Sequence, residues 1–252
     1  MNMTITDYNK NFYETKWTEG AIHYLTHSFM FRYHTDRIVS ILQKYCNHIY
    51  IYEIADYGCG IGIHTVTLAN FFPNAYVHGF DLAENGIEVA NKVHNKKNLT
   101  FRVGDITKDN FGMFDLISAF EVLEHVDDWQ SLLTSLVAKT NKYLLLSFPT
   151  GKMRSYEKLI GHVRNFKKKE VESFLETLGV KPITTLYAGF PLISPLYRDI
   201  CKWFPVAYNN AQKNVMSTRM KILHQVAYFF VRYFTTKKYF GDHFYGLFQK
   251  EI

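Results

Sequence analysis

The chain predicts an α/β fold organised around a mostly parallel sheet, and three observations carry that expectation. Short apolar runs alternate with helix-like stretches from about residue 50 onward. The first of these runs, Ile49-Tyr50-Ile51-Tyr52-Glu53-Ile54-Ala55, closes on Asp56-Tyr57-Gly58-Cys59-Gly60-Ile61-Gly62, a glycine-rich turn where strand gives way to helix. Four successive strands then finish on an acid, at Asp56, Asp81, Asp105 and Glu121. In an open α/β sheet the carboxyl ends of the strands line the ligand crevice, so acids recurring there point to one shared ligand.

Residues 1 to 48 read as a helical cap, with Ile38, Ile41 and Leu42 at helical spacing and Tyr13, Trp17, His23, His27, Tyr33 and His34 making it rich in rings. The alternation that follows predicts a strand near 50 to 57, a helix from about 62, a strand at 75 to 81, a helix at 84 to 94, strands at 99 to 104 and 114 to 120, and a helix at 128 to 139. Tyr143-Leu144-Leu145-Leu146-Ser147-Phe148 is an unbroken apolar run of the kind found in a central parallel strand, and Pro149 and Gly151 stop it. A helix at 167 to 178 ends at Gly179, Ile183 to Ala188 forms a sixth strand, and His243 to Lys250 a seventh. About fifty residues separate the last two strands, too many for a structureless loop, so helices are expected near 195 to 203 and 217 to 234, forming a lid.

Glycines at 58, 60 and 62 permit close approach of a ligand to the main chain, although any strand-to-helix turn can use a glycine. Asp81 follows Gly62 by nineteen positions, a placement that suits a ribose diol. Ile63 stands where the last glycine of a dinucleotide-binding G-x-G-x-x-G would be, and a pyrophosphate would be repelled by Asp56. An acid at the head of the loop suits instead a ligand with an ammonium or sulfonium group, which points to S-adenosylmethionine.

These residues resemble the class I, Rossmann-like S-adenosylmethionine-dependent methyltransferases, nearest in motif to the ubiquinone-biosynthesis O-methyltransferase branch. The resemblance rests on Asp56 to Gly62, Asp81-Leu82, Gly104-Asp105-Ile106, and Phe114-Asp115-Leu116-Ile117 followed by Glu121-Val122-Leu123-Glu124-His125-Val126, and it spans roughly residues 50 to 190. It implies a seven-stranded sheet with an antiparallel last pair. It also implies that Gly58, Gly60 and Gly62 line the methionine moiety and that Asp56 supports its ammonium directly or through water. Asp81 would bind the ribose hydroxyls, Asp105 the adenine amino group and the Ile106 amide the adenine ring. Leu82 would pack on that ring, and the Phe120 carbonyl would hold the ammonium.

Glu121, Glu124 and His125 stand at i, i+3 and i+4, on one face if the segment is helical. They then resemble ligands for a divalent metal such as Mg²⁺, as in related Glu-x-x-Glu-His stretches of small-RNA 2′-O-methyltransferases, but such a cluster can equally hold none, and metal is not expected. His125 is also a candidate general base, with His162 its rival, and a structural hydrogen bond accounts for either equally well. Methyl transfer depends first on placing the acceptor in line, so a dedicated base is not obligatory. Tyr13, Trp17 and Tyr33 are more simply explained as packing of the cap than as a cage for a cationic donor.

The length suits one methyltransferase domain: cap 1–48, nucleotide-binding core 49–189, aromatic and basic insertion 190–240, last strand 241–252. Three cysteines, one inside the glycine loop, form no disulfide framework or metal motif. With neither a secretory signal nor a membrane span, a cytoplasmic location is expected. Residues 190 to 252 hold nine Lys or Arg against three acids, an excess equal to the net charge of +6, and fifteen of the forty-two aromatics. The acceptor is therefore expected to be a small molecule, a glycan or a lipid-linked compound. Residues 217–238 could lie on a membrane, and nucleic acid is an unlikely partner because no dense arginine cluster is present. A catalytically silent scaffold keeping the nucleotide fold is the rival from another class. The oligomeric state is left open.

Overall fold

The computed structural model describes residues 5–105, 108–109, 111–203 and 215–251. Seven strands form one sheet in the order β3-β2-β1-β4-β5-β7-β6: β1 Glu53–Tyr57, β2 Tyr76–Asp81, β3 Leu99–Val103, β4 Phe114–Phe120, β5 Thr140–Pro149, β6 Val180–Ala188 and β7 His243–Lys250. β1 to β5 pair in parallel, and β7 inserts antiparallel between β5 and β6. This is the seven-stranded Rossmann-like sheet expected of a class I methyltransferase. The strand order reverses between β1 and β4, which opens a crevice beyond their carboxyl ends.

Local chemistry accounts for the boundaries. β1 starts at Glu53, three residues later than expected: Asp115 accepts from Tyr52 N at 2.8 Å, and Tyr50 and Tyr52 are exposed. β4 and most of β5 are buried, which explains their continuous apolar sequence. β6 is the edge strand and tolerates Pro182, where its register against β7 shifts.

The helices preceding the sheet are α1 Ile5–Lys16, α2 Glu19–His27 and α3 Phe29–Tyr45. α2 is capped by the Thr18 side chain, which accepts from Ala21 N. α4 Ile63–Phe71 and α5 Glu84–Val93 follow β1 and β2. α6 Trp129–Lys139, capped by Asp128, precedes β5, and the short α7 Ser155–Leu159 and α8 Glu170–Thr177 follow it. The insertion between β6 and β7 contains a wide π-type turn at Leu192–Tyr197, α9 Arg198–Trp203 and α10 Thr218–Phe234. The two helices expected there are present, and α7 is an addition.

Two apolar layers sandwich the sheet. On one face Leu133, Leu136, Leu144, Leu146, Phe148 and Phe244 pack beneath α6 and α8. On the other, Ile38, Ile41, Leu42, Leu68, Leu145 and Leu247 join α3 and α4 to the strands. Tyr33, fully buried in this second layer, is a core residue, as the packing reading of the cap expects.

α1 is fastened across the crevice. The Glu14 carboxylate accepts from Glu84 N at 2.7 Å and Asn85 N at 2.8 Å, capping α5, and the Asn85 amide donates to the carbonyls of Glu14 and Trp17. Trp17 then covers Gly60 and Gly86, where an added Cβ would lie 2.9 Å and 2.8 Å from its ring.

Candidate active site

The loop after β1 turns sharply because Gly58, Gly60 and Gly62 all adopt positive φ. Gly62, at φ +79°, starts α4 and lies so close to Phe101 that a Cβ would stand 2.4 Å from the ring. Amides of Gly58 and Cys59 donate to Phe80 O, which ties the loop to the end of β2. Asp81 completes the cradle: Gly60 N donates to its Oδ2 at 2.7 Å and Ala83 N to its Oδ1 at 2.8 Å. Burial pushes the Asp81 carboxyl up, and these amides pull it back.

A cavity of about 360 Å³ lies beyond this cradle, within the range of small-molecule sites. Gly58, Gly60, Asp81, Leu82, Phe120 and Trp17 wall one part of it. The Trp17 Nε1 donor is buried beside it without a partner among the described residues. A cradle that admits no Cβ, an acid and an orphaned donor around one hollow fit an adenosyl ligand.

Several expected contacts lie behind this wall. Asp56 is 1% exposed, and its carboxylate accepts from Thr65 Oγ1 and Ser118 Oγ, both at 2.7 Å, so it cannot touch a ligand's ammonium directly. It instead fastens β1 to β4 and α4, and burial pushes its pKa up to about 6. Asp105 accepts from Tyr57 Oη at 3.3 Å and pairs with Lys108 at 3.2 Å, so it stands behind Tyr57, which does line the cavity. Gly62 supports the loop from beneath. Ile106 lies outside the described residues.

The expected Glu121, Glu124 and His125 triplet is not assembled. Only Leu123–His125 form a single 3₁₀ turn, and Glu121 precedes it at φ +56°, a conformation costly for a residue with a side chain. That twist separates the residues into two groups. Glu121 joins His34 and His243, while Glu124 and His125 join His162, and within each group the candidate ligand atoms lie within 4.8 Å of one another. Either set of two imidazoles and a carboxylate could hold a transition metal.

In the first group His243 Nε2 lies 2.8 Å from Glu121 Oε1, to which Ser147 Oγ also donates at 2.7 Å. Burial raises the Glu121 carboxyl, but His243 and Ser147 outweigh it and hold the group below the usual carboxylate range. Where Glu121 accepts from His243 Nε2, the other ring nitrogen, Nδ1, is left for a further hydrogen bond. Burial lowers His34 to about 3, its Nδ1 lying 3.1 Å from Tyr245 Oη.

The second group is held neutral. Burial, then His162, lowers His125 well below its ordinary value, and burial lowers His162 to about 4. Burial and then Glu121 push the Glu124 carboxyl well up, so its 4.0 Å approach to His125 is a contact of neutral groups. His125 uses Nδ1 on Gly161 O and Nε2 on Tyr13 Oη, each at 3.0 Å. Tyr13 thus lines the cavity with Trp17, on which it stacks at 5.3 Å, rather than merely packing the cap.

The far wall comes from the insertion. Arg198 is buried and donates to Glu157 Oε1 through Nη2 at 2.6 Å and Nε at 2.9 Å, and Ser194 Oγ donates to Asp242 Oδ2 at 2.6 Å. His34, His243 and this Arg198–Glu157 pair escaped the sequence reading, since each sits outside any motif. Arg198 carried no distinguishing signal, being one of eight Lys or Arg between residues 190 and 240.

Sheet order, glycine cradle and acid-terminated strands together define a class I methyltransferase fold. A methyltransferase-domain family model matches residues 52–217, and the chain belongs to that family of S-adenosylmethionine-dependent methyltransferases. It is 28% identical over 154 residues to a malonyl-[acyl-carrier protein] O-methyltransferase of Bacillus cytotoxicus, covering 60% of this chain and 53% of that one. It is 30% identical over 128 residues to the ubiquinone biosynthesis O-methyltransferase of Vibrio campbellii, covering 48% and 53%. The chain thus spans little more than half the length of these relatives. The crystallised O-methyltransferase of a Brevibacillus brevis trans-AT PKS multienzyme, in complex with S-adenosyl-L-homocysteine, shares the fold with a TM-score of 0.56 at 16% identity, over 88% of this chain and 74% of that one.

Proposed function

We propose that this chain transfers a methyl group from S-adenosylmethionine to an oxygen of a small-molecule, glycan or lipid-linked acceptor. The observation that carries the reading is the Glu121–His243 pair, which lines the same cavity as the Gly58–Gly60 loop and Asp81. O-methyltransferases among the relatives support oxygen over nitrogen.

When bound, S-adenosylmethionine supplies an electrophilic methyl group on a sulfonium. Asp81 would hold the ribose, Leu82 would pack on the adenine, and the main chain at Gly58, Gly60 and Phe120 would meet the methionine portion. Asp56 and Asp105 act from behind by fixing the loop and Tyr57. We assign the proton acceptor to His243 in place of His125 or His162. Its Nδ1 would take the proton from the acceptor hydroxyl, and the imidazolium so formed would be stabilised by the Glu121 carboxylate. His125 already spends both nitrogens on Gly161 and Tyr13. No metal is needed for this step, and the separation of Glu121 from Glu124 and His125 weighs against the metal-assisted RNA 2′-O-methylation alternative.

Titration calorimetry with S-adenosylhomocysteine, followed by an untargeted search for products heavier by one methylene in cell extracts, tests the reading. Absence of binding to folded protein overturns it. Binding without turnover on a broad acceptor panel would favour the silent scaffold. A lost rate on chelation would restore the metal.

A further inference from the structure

α10 is amphipathic in the reverse of the usual sense. Its inner stripe, His224, Tyr228, Val231 and then Thr235, is buried against α3, with Tyr228 Oη donating to Asp36 at 2.6 Å and Phe29 N to His224 Nδ1 at 3.2 Å. Its outer stripe is apolar: Leu223, Val226, Phe229, Phe230, Tyr233 and Phe234 recur at helical spacing, and each is between 49% and 62% exposed. A helix that merely covered the fold would turn polar side chains outward.

Other aromatic side chains before and after α10 in the sequence are also exposed. Tyr239 and Phe240 follow it, 59% and 75% exposed, and Trp203 at the end of α9 is 74% exposed. Charge is equally one-sided. Between Ile200 and Gly241 the sequence has seven Lys or Arg and no Asp or Glu. Arg219, Lys237 and Lys238 are exposed in or just after α10, and Arg232, also exposed, pairs with Asp36 of α3 at 3.5 Å. No helix among the described residues is long and apolar enough to cross a membrane. Aromatic side chains and cations on a helix too short to span are suited to lie in the headgroup region of an anionic bilayer.

An earlier part of the insertion supplies a portion of the cavity wall. Ile193, Ser194, Tyr197 and Arg198 face inward on it, while Leu196 and Ile200, from the same turn and helix, are 51% and 49% exposed. That segment therefore has some side chains on the cavity and others, apolar, exposed to solvent.

We infer that α10 and the 190–203 segment dock the enzyme on an anionic phospholipid surface, where it methylates the polar head of a lipid-borne acceptor. The substrate half of this inference rests on the methyl-transfer reading, whereas the docking half does not. Co-sedimentation of the full chain with vesicles of phosphatidylcholine containing phosphatidylglycerol, against pure phosphatidylcholine, tests docking without any methyl transfer. Wild type should partition at least about tenfold better onto the anionic vesicles, and high salt should weaken it. The double variants Phe230→Glu with Phe234→Glu, and Lys237→Glu with Lys238→Glu, should each lose about tenfold while retaining S-adenosylhomocysteine affinity.

Equal binding to both vesicle types, no binding, or unchanged binding in both variants overturns the inference. So does light scattering that shows a stable dimer dissolved by the phenylalanine variant, because a second copy then covers the face. Vesicle binding in a protein that fails to bind S-adenosylhomocysteine would leave docking intact and sink the methyl-transfer reading instead.

Discussion

Asp81→Asn separates two tasks that one carboxylate performs. In the wild type its two oxygens each accept a backbone amide, from Gly60 at 2.7 Å and Ala83 at 2.8 Å, and its remaining lone pairs face the cavity side where a ribose would lie. Asparagine offers one acceptor oxygen, so one amide donor would face an NH₂ group. Leaving that donor unsatisfied costs about 1–3 kcal/mol, which appears as a lower melting temperature of the free protein. Replacing an ionised acceptor by a neutral one lowers a ribose hydrogen bond from about 1.5–3 to about 0.5–1.5 kcal/mol, a loss of about 1–1.5 kcal/mol equivalent to a Kd roughly five- to tenfold higher. Calorimetric titration with S-adenosylhomocysteine reads the second quantity directly, provided circular dichroism shows a folded variant. A Kd within threefold of wild type would refute the placement of the ribose at Asp81, even if the melting temperature fell.

Two further outcomes follow from the buried groups. His243→Gln should lower kcat by about 10²–10⁴ and leave S-adenosylhomocysteine affinity within threefold, since a general base is worth about that factor and His243 lies outside the glycine cradle. Undiminished turnover of an identified acceptor by this variant would remove His243 from catalysis. Asp56 carries a pKa of about 6 in the fold, above its unfolded value near 3.9, so the contribution to stability is present at low pH and is lost as pH rises from about 4 through 6. Relative to Asp56→Asn, wild type should therefore lose about 3 kcal/mol of unfolding free energy between those limits in urea titrations, and a pH-independent difference would contradict a buried, costly carboxylate at this position.

Much of the fold is legible in the chain because its signals are local. Strands β2, β4 and β7 fall within a residue of the spans expected from their apolar runs, and Gly179 ends α8 as expected, whereas β6 begins at Val180, three residues early, and takes in Pro182. The candidate site is legible only on its donor side. Gly58, Gly60, Asp81, Leu82 and Phe120 belong to motifs a few residues long, and the cavity is walled by all of them. Asp56 looked equally exposed in the sequence, yet Thr65 and Ser118 are brought to it from a helix and a neighbouring strand and close it off. A carboxylate at a strand end shows its position in sequence, not which hydroxyls will reach it.

By itself the amino-acid sequence determined the sheet, the glycine cradle, the methyltransferase family and the aromatic, basic character of the insertion, because each is written in spacing or composition over short stretches. Only the tertiary structure decided that Glu121 turns away from Glu124 and His125 to meet His243, a partner 122 residues distant, and that Tyr13 reaches His125 across 112. It also decided that α10 turns its aromatic stripe outward. The physical reason is the same throughout: helical spacing shows which residues share a face, whereas the direction that face takes is set by the antiparallel return of β7 and by the packing of α3 and α10 against each other.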